Sequence, residues 1–178
     1  MGKRSSYNRL PQDKYYTRDV RAVRPLLRHL PPGSRFIEPC AGAGHLRDHL
    51  EAAGHVCVQA LDIAPEGPGI KAADALSAPL APCDFIITNA PWDRPILHAM
   101  LARFSAHAPT WSLHDANWVN TGQARAFEGV LRAVQPVGRI KWIPDSAHDG
   151  GKEDCAWHLF DAAGAPSAFA ALYLREAS

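Results

Sequence analysis

A short apolar run leads straight into a glycine-containing turn near residue 40, and this junction limits the possible folds more than any other part of the sequence. The run is Arg35-Phe36-Ile37, the turn contains Gly42 and Gly44, and residues 45–53 have the apolar spacing of a helix. Glycines two positions apart let the backbone turn sharply and let a ligand approach closely. The pattern predicts a strand, a ligand-binding turn and a helix in succession.

Strands and helices alternate along most of the chain. Helices are predicted over residues 17–30, 73–76, 95–107 and 122–134, and strands over residues 55–63, 83–88, 109–114, 139–143, 155–160 and 169–174. Alternation with short connections favours a parallel sheet covered on both faces, and the helix-free tail favours an antiparallel edge. We therefore expect an α/β fold with a three-layered, doubly wound, mostly parallel sheet. Its site should lie at the carboxyl ends of the strands.

The chain length of 178 residues suits one globular domain, and the charge is unevenly spread along it. Residues 1–35 contain nine Lys or Arg and two acids, whereas the whole chain has a net charge of +1. We expect residues 1–14 to form a flexible basic arm and residues 15–178 to form a single domain. A basic arm suits contact with a polyanion such as nucleic acid, and it equally suits a solubilising tail.

Several classes of protein are disfavoured by features that the sequence lacks. It has no apolar run of 18 residues, no apolar segment after its basic start, and no CxxC pair among its four cysteines. We therefore expect no membrane span, no secretion signal, no disulfide framework and no metal. A cytoplasmic location is expected.

Two acidic residues near the glycine turn indicate the kind of ligand. Asp62 ends the next predicted strand, 18 residues after Gly44, where it can accept hydrogen bonds from ribose hydroxyls. Glu38 stands where a dinucleotide site usually has a glycine, and its carboxylate repels a pyrophosphate but attracts a cationic amino-acid head group. These positions favour S-adenosylmethionine over NAD. Asp74 is suited either to contact the cofactor's adenine or to cap a short helix.

The tetrad Asn89-Ala90-Pro91-Trp92 follows an apolar strand and carries the predicted chemistry. The exocyclic amine of a nucleobase is a poor nucleophile because its lone pair is delocalised into the ring. The Asn89 side-chain carbonyl and the Ala90 backbone carbonyl can accept its two N–H bonds and return electron density to the nitrogen. Pro91 fixes the backbone, and Trp92 offers a flat face to a stacked base. A surface turn is the alternative interpretation.

Together these motifs resemble those of the class I S-adenosylmethionine-dependent methyltransferases, and among them the phage and prophage DNA methyltransferases that act on adenine N6. Tyr16-Thr17 is similar to the family's motif X and residues 38–44 to motif I. Asp62 and Asp74 are similar to the acids of motifs II and III, residues 89–92 to the [DNS]-P-P-[YFW] motif, and residues 154–157 to a late strand of small phage members.

The resemblance implies a Rossmann-like class I methyltransferase fold and S-adenosylmethionine as the cofactor. The implied catalytic residues are Asn89, Ala90, Pro91 and Trp92. The implied cofactor-binding residues are Tyr16, Thr17, Glu38, Pro39, Cys40, Ala41, Gly42, Gly44, Asp62, Ile63, Asp74, Ala75 and Asn89.

Two positions of the tetrad depart from the usual pattern of the family. Ala90 replaces the usual first proline, and this change is compatible with the predicted role because the acceptor at position 90 is the backbone carbonyl. Asn89 stands where many N6 enzymes carry Asp. No long insertion is available for target recognition. Sequence specificity should therefore be short or loose, or a separate chain should supply it.

Polar and aromatic residues downstream are candidates for contact with the substrate. Trp92, Trp118, Asn120 and Lys141 are predicted to bind it, and Trp111, Asn117 and Trp142 are further candidates. Packing in the core is the alternative for each of them. Residues 145–153, which include two glycines, are expected to close over the substrate.

These residues lead to an expected activity with alternatives. We expect methyl transfer to an exocyclic amino group, with adenine N6 in DNA as the favoured target and nucleic acid as the partner. Cytosine N4, adenine in RNA and glutamine in a protein are alternative targets. A catalytically inactive binding module with the same fold is the alternative of another class.

Overall fold

The computed structural model describes residues 15–143, 151 and 153–164, and seven strands in this part of the chain form one sheet. The strands are β1 (Arg35–Glu38), β2 (Val56–Asp62), β3 (Lys71–Ala72), β4 (Phe85–Thr88), β5 (Thr110–Asp115), β6 (Leu131–Gly138) and β7 (Cys155–Phe160). The α-helices are α1 (Arg24–Leu27), α2 (His45–Ala52) and α3 (Arg94–His107), and 3₁₀ helices span Val20–Ala22, Ala116–Asn120 and Ala124–Phe127.

The sheet order is β3-β2-β1-β4-β5-β7-β6. The first five strands in this order pair in parallel, whereas β7 runs antiparallel to both β5 and β6. The carboxyl ends of β1, β2 and β4 therefore meet at one edge of the sheet, where ligands bind in folds of this kind. The predicted doubly wound sheet with an antiparallel edge is confirmed.

Two hydrophobic cores cover the two faces of the sheet. Successive strand residues point to opposite faces, so Ile37 and Ile86 lie in one core and Phe36 and Ile87 in the other. Helix α3 contributes to the first core, and α1 and α2 contribute to the second. Each large side chain buried in this way stabilises the fold by about 1.5–3 kcal/mol. The predicted three layers are present.

The ends of the longer helices follow from local sequence. The Asp93 side chain accepts a hydrogen bond from the Ile96 backbone N–H at the start of α3, and Pro95 occupies the first turn. Helix α2 begins after Gly44 and ends just before Gly54, whose φ of +90° suits a glycine. These signals place α2 next to the glycine turn.

The segment 17–30 is less helical than its apolar spacing predicts. It divides into a 3₁₀ helix and the short helix α1, because Pro25 fits only the first turn of an α-helix. The Asp19 side chain accepts from the Arg21 N–H and caps the 3₁₀ helix.

Three other predictions about secondary structure are wrong. Residues 122–134 form a 3₁₀ helix followed by β6 rather than one helix, because Leu131 starts a ladder with distant Phe160. Residues 139–143 form no strand, since Gly138 ends β6 with a φ of +85°. Residues 73–76 form a turn rather than a helix, and the two-residue strand β3 before it has no sequence signal.

Some expectations fall outside the described residues. They are the basic arm 1–14, most of the loop 145–153 and the strand 169–174. None of the helices that the structure describes has the length and apolar character of a membrane span.

Candidate active site

The glycine turn follows β1 at the carboxyl edge of the sheet. Gly42 and Gly44 have φ values of +53° and +89°, a backbone region that side chains with a Cβ disfavour. The Ala41 N–H donates to the Leu61 carbonyl at 2.8 Å, which ties the turn to β2. Because α2 starts directly after Gly44, the turn presents the N-terminal end of a helix to the site.

Asp62 organises the loops on both sides of the turn. Its Oδ2 accepts a hydrogen bond from the Gly42 N–H at 2.7 Å, and its Oδ1 accepts one from the Ala64 N–H at 2.8 Å. Each carboxylate oxygen keeps a second lone pair for a ligand hydroxyl. Ile63, the next residue, is 80% exposed beyond the end of β2. The geometry is compatible with the predicted ribose contact, which stays a prediction.

Glu38 is a buried carboxyl group at the base of the turn. Its side chain is 2% exposed, and Oε2 has no hydrogen-bond partner among the residues that the structure describes. Burial raises the pKa of Glu38 well above its ordinary value, although the nearby Arg47 opposes the shift. A buried acceptor without a partner is costly unless a ligand satisfies it. The chemistry of this group fits a cationic ammonium.

The segment 15–18 lies against the glycine turn. The Tyr16 ring packs so closely on Gly42 that a Cβ at that position would overlap it. Burial, followed by a hydrogen bond to the Glu66 carboxylate, raises the pKa of Tyr16 to about 12. The Glu66 N–H in turn donates to the Gly42 carbonyl at 2.9 Å. The neighbouring Thr17 is buried, and its hydroxyl lacks a partner within the described part of the chain.

The same segment contacts the tetrad at the end of β4. The Asn89 Nδ2 donates to the Tyr15 backbone carbonyl at 2.8 Å. With the nitrogen engaged, Oδ1 is the acceptor left for a ligand, and no described residue donates to it. Ala90 is 2% exposed and packs in a core, whereas Pro91 is exposed. Tyr15 and Tyr16 therefore connect the tetrad with the glycine turn.

Trp92 is half-buried and held at two points. Its Nε1 donates to the Leu113 carbonyl at 3.3 Å, which attaches the indole to the end of β5. Its ring meets the Trp142 ring edge-on, with centroids 5.8 Å apart. These contacts fix the orientation of the indole next to Asn89.

The remaining predicted cofactor residues surround this edge of the sheet. The exposed Asp74 accepts from the Leu76 N–H at 2.9 Å, so it holds its own turn, and Ala75 is buried behind it. Pro39 is buried, and the Cys40 thiol lies 3.7 Å from the Met100 sulfur. Burial raises the pKa of Cys40 to about 12, which keeps it a neutral thiol.

Among the predicted substrate residues other than Trp92, some are buried in a core and others are exposed or half-buried. Trp118 is 5% exposed, donates to His98 Nε2 at 3.3 Å and packs among aromatic rings, so it is a core residue and offers no face to a base. Trp111 is likewise buried. Asn120 is exposed at the end of a 3₁₀ helix. Lys141 donates its backbone N–H to Asp19 Oδ2 at 3.0 Å, and its side chain is half-buried.

Two contributors were missed by sequence reasoning. Tyr15 acts through its backbone carbonyl, which carries no sequence signal. Glu66 lies in a Pro/Gly-rich connection, and only the fold places it beside Tyr16. No group of three or more His, Cys, Asp or Glu that could hold a metal occurs in the part of the chain that the structure describes.

No protein-family model matches this sequence, and no curated protein is similar to it. Solved structures do match the fold. A candidate RNA methyltransferase of Pyrococcus horikoshii has a TM-score of 0.56 and 16% identity, with 80% of this chain and 81% of that chain covered. A candidate class I S-adenosylmethionine-dependent methyltransferase of Listeria monocytogenes has a TM-score of 0.58 and 13% identity, with 86% and 62% covered. The ribosomal protein L11 methylase of Lactobacillus delbrueckii has a TM-score of 0.54 and 13% identity, with 79% and 77% covered. The chain therefore has the class I methyltransferase fold.

Proposed function

We propose that this protein transfers a methyl group from S-adenosylmethionine to an exocyclic amino group, and that adenine N6 in DNA is the target. One observation carries the proposal. The Asn89 amide at the tip of β4 is tied through Tyr15 to the segment that packs on the glycine turn. An acceptor for an amine and a candidate cofactor site thus share one edge of the sheet.

The residues around the turn suit the three parts of the cofactor. The buried, unpartnered Glu38 oxygen would receive the ammonium, Asp62 the ribose hydroxyls, and Asp74 the adenine amine. Gly42 and Gly44 allow the backbone to approach closely, and Tyr16 and Thr17 would bound the site. When bound, S-adenosylmethionine supplies an electrophilic methyl group.

The tetrad activates the amine by accepting hydrogen bonds. Asn89 Oδ1 and the Ala90 backbone carbonyl would each accept one N–H of the target amine, which keeps its nitrogen pyramidal and nucleophilic. Preorganisation matters because the acceptors must be in place before charge develops. The bond from Asn89 to Tyr15 and the burial of Ala90 provide it.

The base itself would rest on Trp92. Its indole is fixed by the Leu113 carbonyl and by Trp142, so a base that stacks on it loses little further conformational freedom. A duplex base reaches such a site only after leaving the helix stack. Neither tetrad acceptor is a base that titrates near neutral pH, so the proton released by the amine passes to water.

Adenine in RNA is a second candidate substrate. Two proteins that share the fold suggest it by their names: the candidate RNA methyltransferase of Pyrococcus horikoshii and a dimethyladenosine transferase of Plasmodium falciparum, the latter with a TM-score of 0.52 and 12% identity. DNA is preferred because the tetrad and the motif I turn resemble those of the DNA amino-methyltransferases, whereas the basic N-terminal region favours nucleic acid of either kind over protein.

A labelling experiment tests the proposal. The protein is incubated with tritiated S-adenosylmethionine and DNA, RNA or protein, and the labelled nucleoside or residue is then identified. We expect label in N6-methyldeoxyadenosine from DNA. Label only in RNA, in N4-methylcytosine or in a protein glutamine would contradict the substrate. Cofactor binding without any transfer would contradict the activity and favour an inactive binding module.

A further inference from the structure

Three arginines form a stripe on the outer face of the first helical segment. Arg21, Arg24 and Arg28 are exposed, and their spacing of three and four residues places them on one side of the segment. The opposite side, which includes Val23 and Leu26, is buried in a core. We call these three residues the arginine stripe.

The stripe is mounted on a rigid support. Trp157 in β7 donates its Nε1 to the Ala22 carbonyl at 2.7 Å inside the second core. At the other side of the 3₁₀ helix, Asp19 accepts from the Lys141 backbone N–H at 3.0 Å. Because one end of this helix is bonded to β7 and the other to the segment that follows β6, the positions of the arginine backbones are defined before any ligand binds.

Little negative charge offsets the stripe. Asp19 is the one acid between residues 15 and 35; its side chain is 11% exposed and pairs with Arg21 at 2.7 Å. Arg24 and Arg28 form no ion pair or hydrogen bond through their side chains with any residue that the structure describes. Two guanidinium groups in the row are thus available to an anionic partner.

Two contacts connect the segment just before the stripe with the tetrad. Asp19 holds the backbone of Lys141, and the next residue, Trp142, meets the Trp92 ring at 5.8 Å. The eight residues from Arg21 to Arg28 extend over about 10 Å at helical rise. Phosphates along one strand of a duplex are spaced by about 3.4 Å of axial rise, so this length matches roughly three of them.

We propose that the arginine stripe binds the phosphate backbone of the DNA strand whose base enters the Trp92 site. This inference rests on the proposed function, because it assigns a docking surface to that function's substrate. Guanidinium groups bind phosphate oxygens through paired hydrogen bonds. Phosphate contacts carry little sequence information, so the stripe supplies affinity and orientation and leaves the choice of base to the tetrad.

Salt dependence of DNA binding tests the stripe. The variants are Arg24→Glu, Arg28→Glu, their double, and the charge-preserving double of Arg24→Lys with Arg28→Lys. Lys71→Glu is the matched control, since Lys71 is exposed in β3 at the far edge of the sheet. Binding of a short fluorescent DNA duplex is measured between about 50 and 200 mM salt, without cofactor. Thermal melting verifies that each variant is folded.

We expect each single glutamate variant to lower the slope of log affinity against log salt by about one, and the double by about two. KM for DNA should rise while kcat stays unchanged, and the lysine double should keep the wild-type slope. The proposed role of the stripe would be contradicted if the glutamate double variant kept the wild-type salt slope, or if its slope did not differ from that of Lys71→Glu.

The two proposals fail separately in this experiment. Methyl transfer to DNA by variants whose salt slope is unchanged would contradict the stripe alone. Conversely, the protein could bind DNA through the stripe and yet label no DNA amine. That result would contradict the proposed function but would still support the arginine stripe as a DNA-binding surface.

Discussion

The side-chain amide nitrogen of Asn89 donates a hydrogen bond to the Tyr15 backbone carbonyl at 2.8 Å, across 74 residues of chain. The next residue, Tyr16, packs its ring on Gly42 of the glycine turn. One short segment therefore fixes the orientation of the Asn89 amide and contacts the candidate cofactor site. This link makes the tetrad and the turn parts of one site.

An aspartate at position 89 separates the two roles of the amide. Asn89→Asp keeps an acceptor for the target amine but loses the donor to Tyr15 and places two oxygens close together. We expect methyl transfer below that of the wild type but well above that of Asn89→Ala, and a loss of about 1 kcal/mol in unfolding free energy. Steady-state kinetics and thermal melting measure both effects. Equal activity of the Asp and Ala variants would contradict the role of the acceptor.

Gly42→Ala should weaken cofactor binding by steric overlap. Its new methyl group would meet the Tyr16 ring, so either the ring or the turn must move. We expect a loss of about 1–3 kcal/mol in unfolding free energy beyond any effect of backbone strain, and weaker binding of S-adenosylhomocysteine by calorimetry.

Gly54→Ala is the matched control for that substitution. Gly54 also has a positive φ, +90°, but nothing lies within 4 Å of a Cβ built there. Its loss of stability therefore reports backbone strain alone, and its cofactor affinity should stay that of the wild type. If Gly54→Ala is the more costly of the two, or if Gly42→Ala binds cofactor normally, the close packing of Tyr16 is irrelevant to the site.

Sequence patterns predicted those elements whose signals are local. Strand β1, the glycine turn and α2 follow from a contiguous stretch, and Asp93 and Pro95 mark the start of α3. Strand β6 was mistaken for a helix because its helix-compatible residues are overridden by pairing with β7, far along the chain. Propensity is a weak guide where a distant partner decides the conformation.

The affinity for the cofactor should rise with pH through Glu38. Burial raises the pKa of this carboxyl group, so part of the free protein carries it protonated, and a bound ammonium favours the ionised form. Binding therefore releases a proton, and raising the pH removes the cost of that release. We expect S-adenosylhomocysteine to bind more tightly as the pH increases above the ordinary pKa of a glutamate, about 4.3. Calorimetry in buffers of different ionisation enthalpy measures the proton release directly.

Glu38→Gln provides the control for this linkage. The glutamine has similar size but does not titrate, so its affinity should be lower than that of the wild type and independent of pH in the same range. Proton release that persists in Glu38→Gln would show that another group is responsible.

Acid should destabilise the fold through two stacked imidazoles in a core. His114 and His158 lie with ring centroids 3.9 Å apart, and burial lowers the pKa of His158 from 6.5 to about 4 and that of His114 well below 6.5. Both rings are neutral in the folded state. Unfolding therefore takes up protons below pH 6.5, so stability is full above that pH and falls as the pH decreases toward about 4.

The variant His158→Leu isolates this effect. From its pKa shift, His158 alone should cost about 3 kcal/mol of unfolding free energy across the acid range. Denaturant titrations at several pH values should show a shallower decline for the variant than for the wild type. An identical decline in both proteins would contradict the assignment to this imidazole.

The candidate site was predictable wherever residue type carries the chemistry. Glu38, Asp62 and Asn89 were chosen as candidates because carboxylates and an amide at strand ends suit contact with a ligand, and the structure places all three at the carboxyl edge of the sheet. Tyr15 was missed because a backbone carbonyl has no sequence signal. Trp118 was misassigned because an indole suits a base and a core equally well, and only the packing against Phe127 and Phe160 decides between them.

Methyl transfer by Asn89→Ala tests the central claim most directly. The rate of label transfer from S-adenosylmethionine to DNA is compared between the variant and the wild type, with cofactor affinity measured on the same samples. We expect the rate to fall by at least about 100-fold, because a preorganised acceptor is lost, while the affinity for cofactor changes only severalfold. A variant that transfers methyl groups at the wild-type rate would contradict the role proposed for the tip of β4.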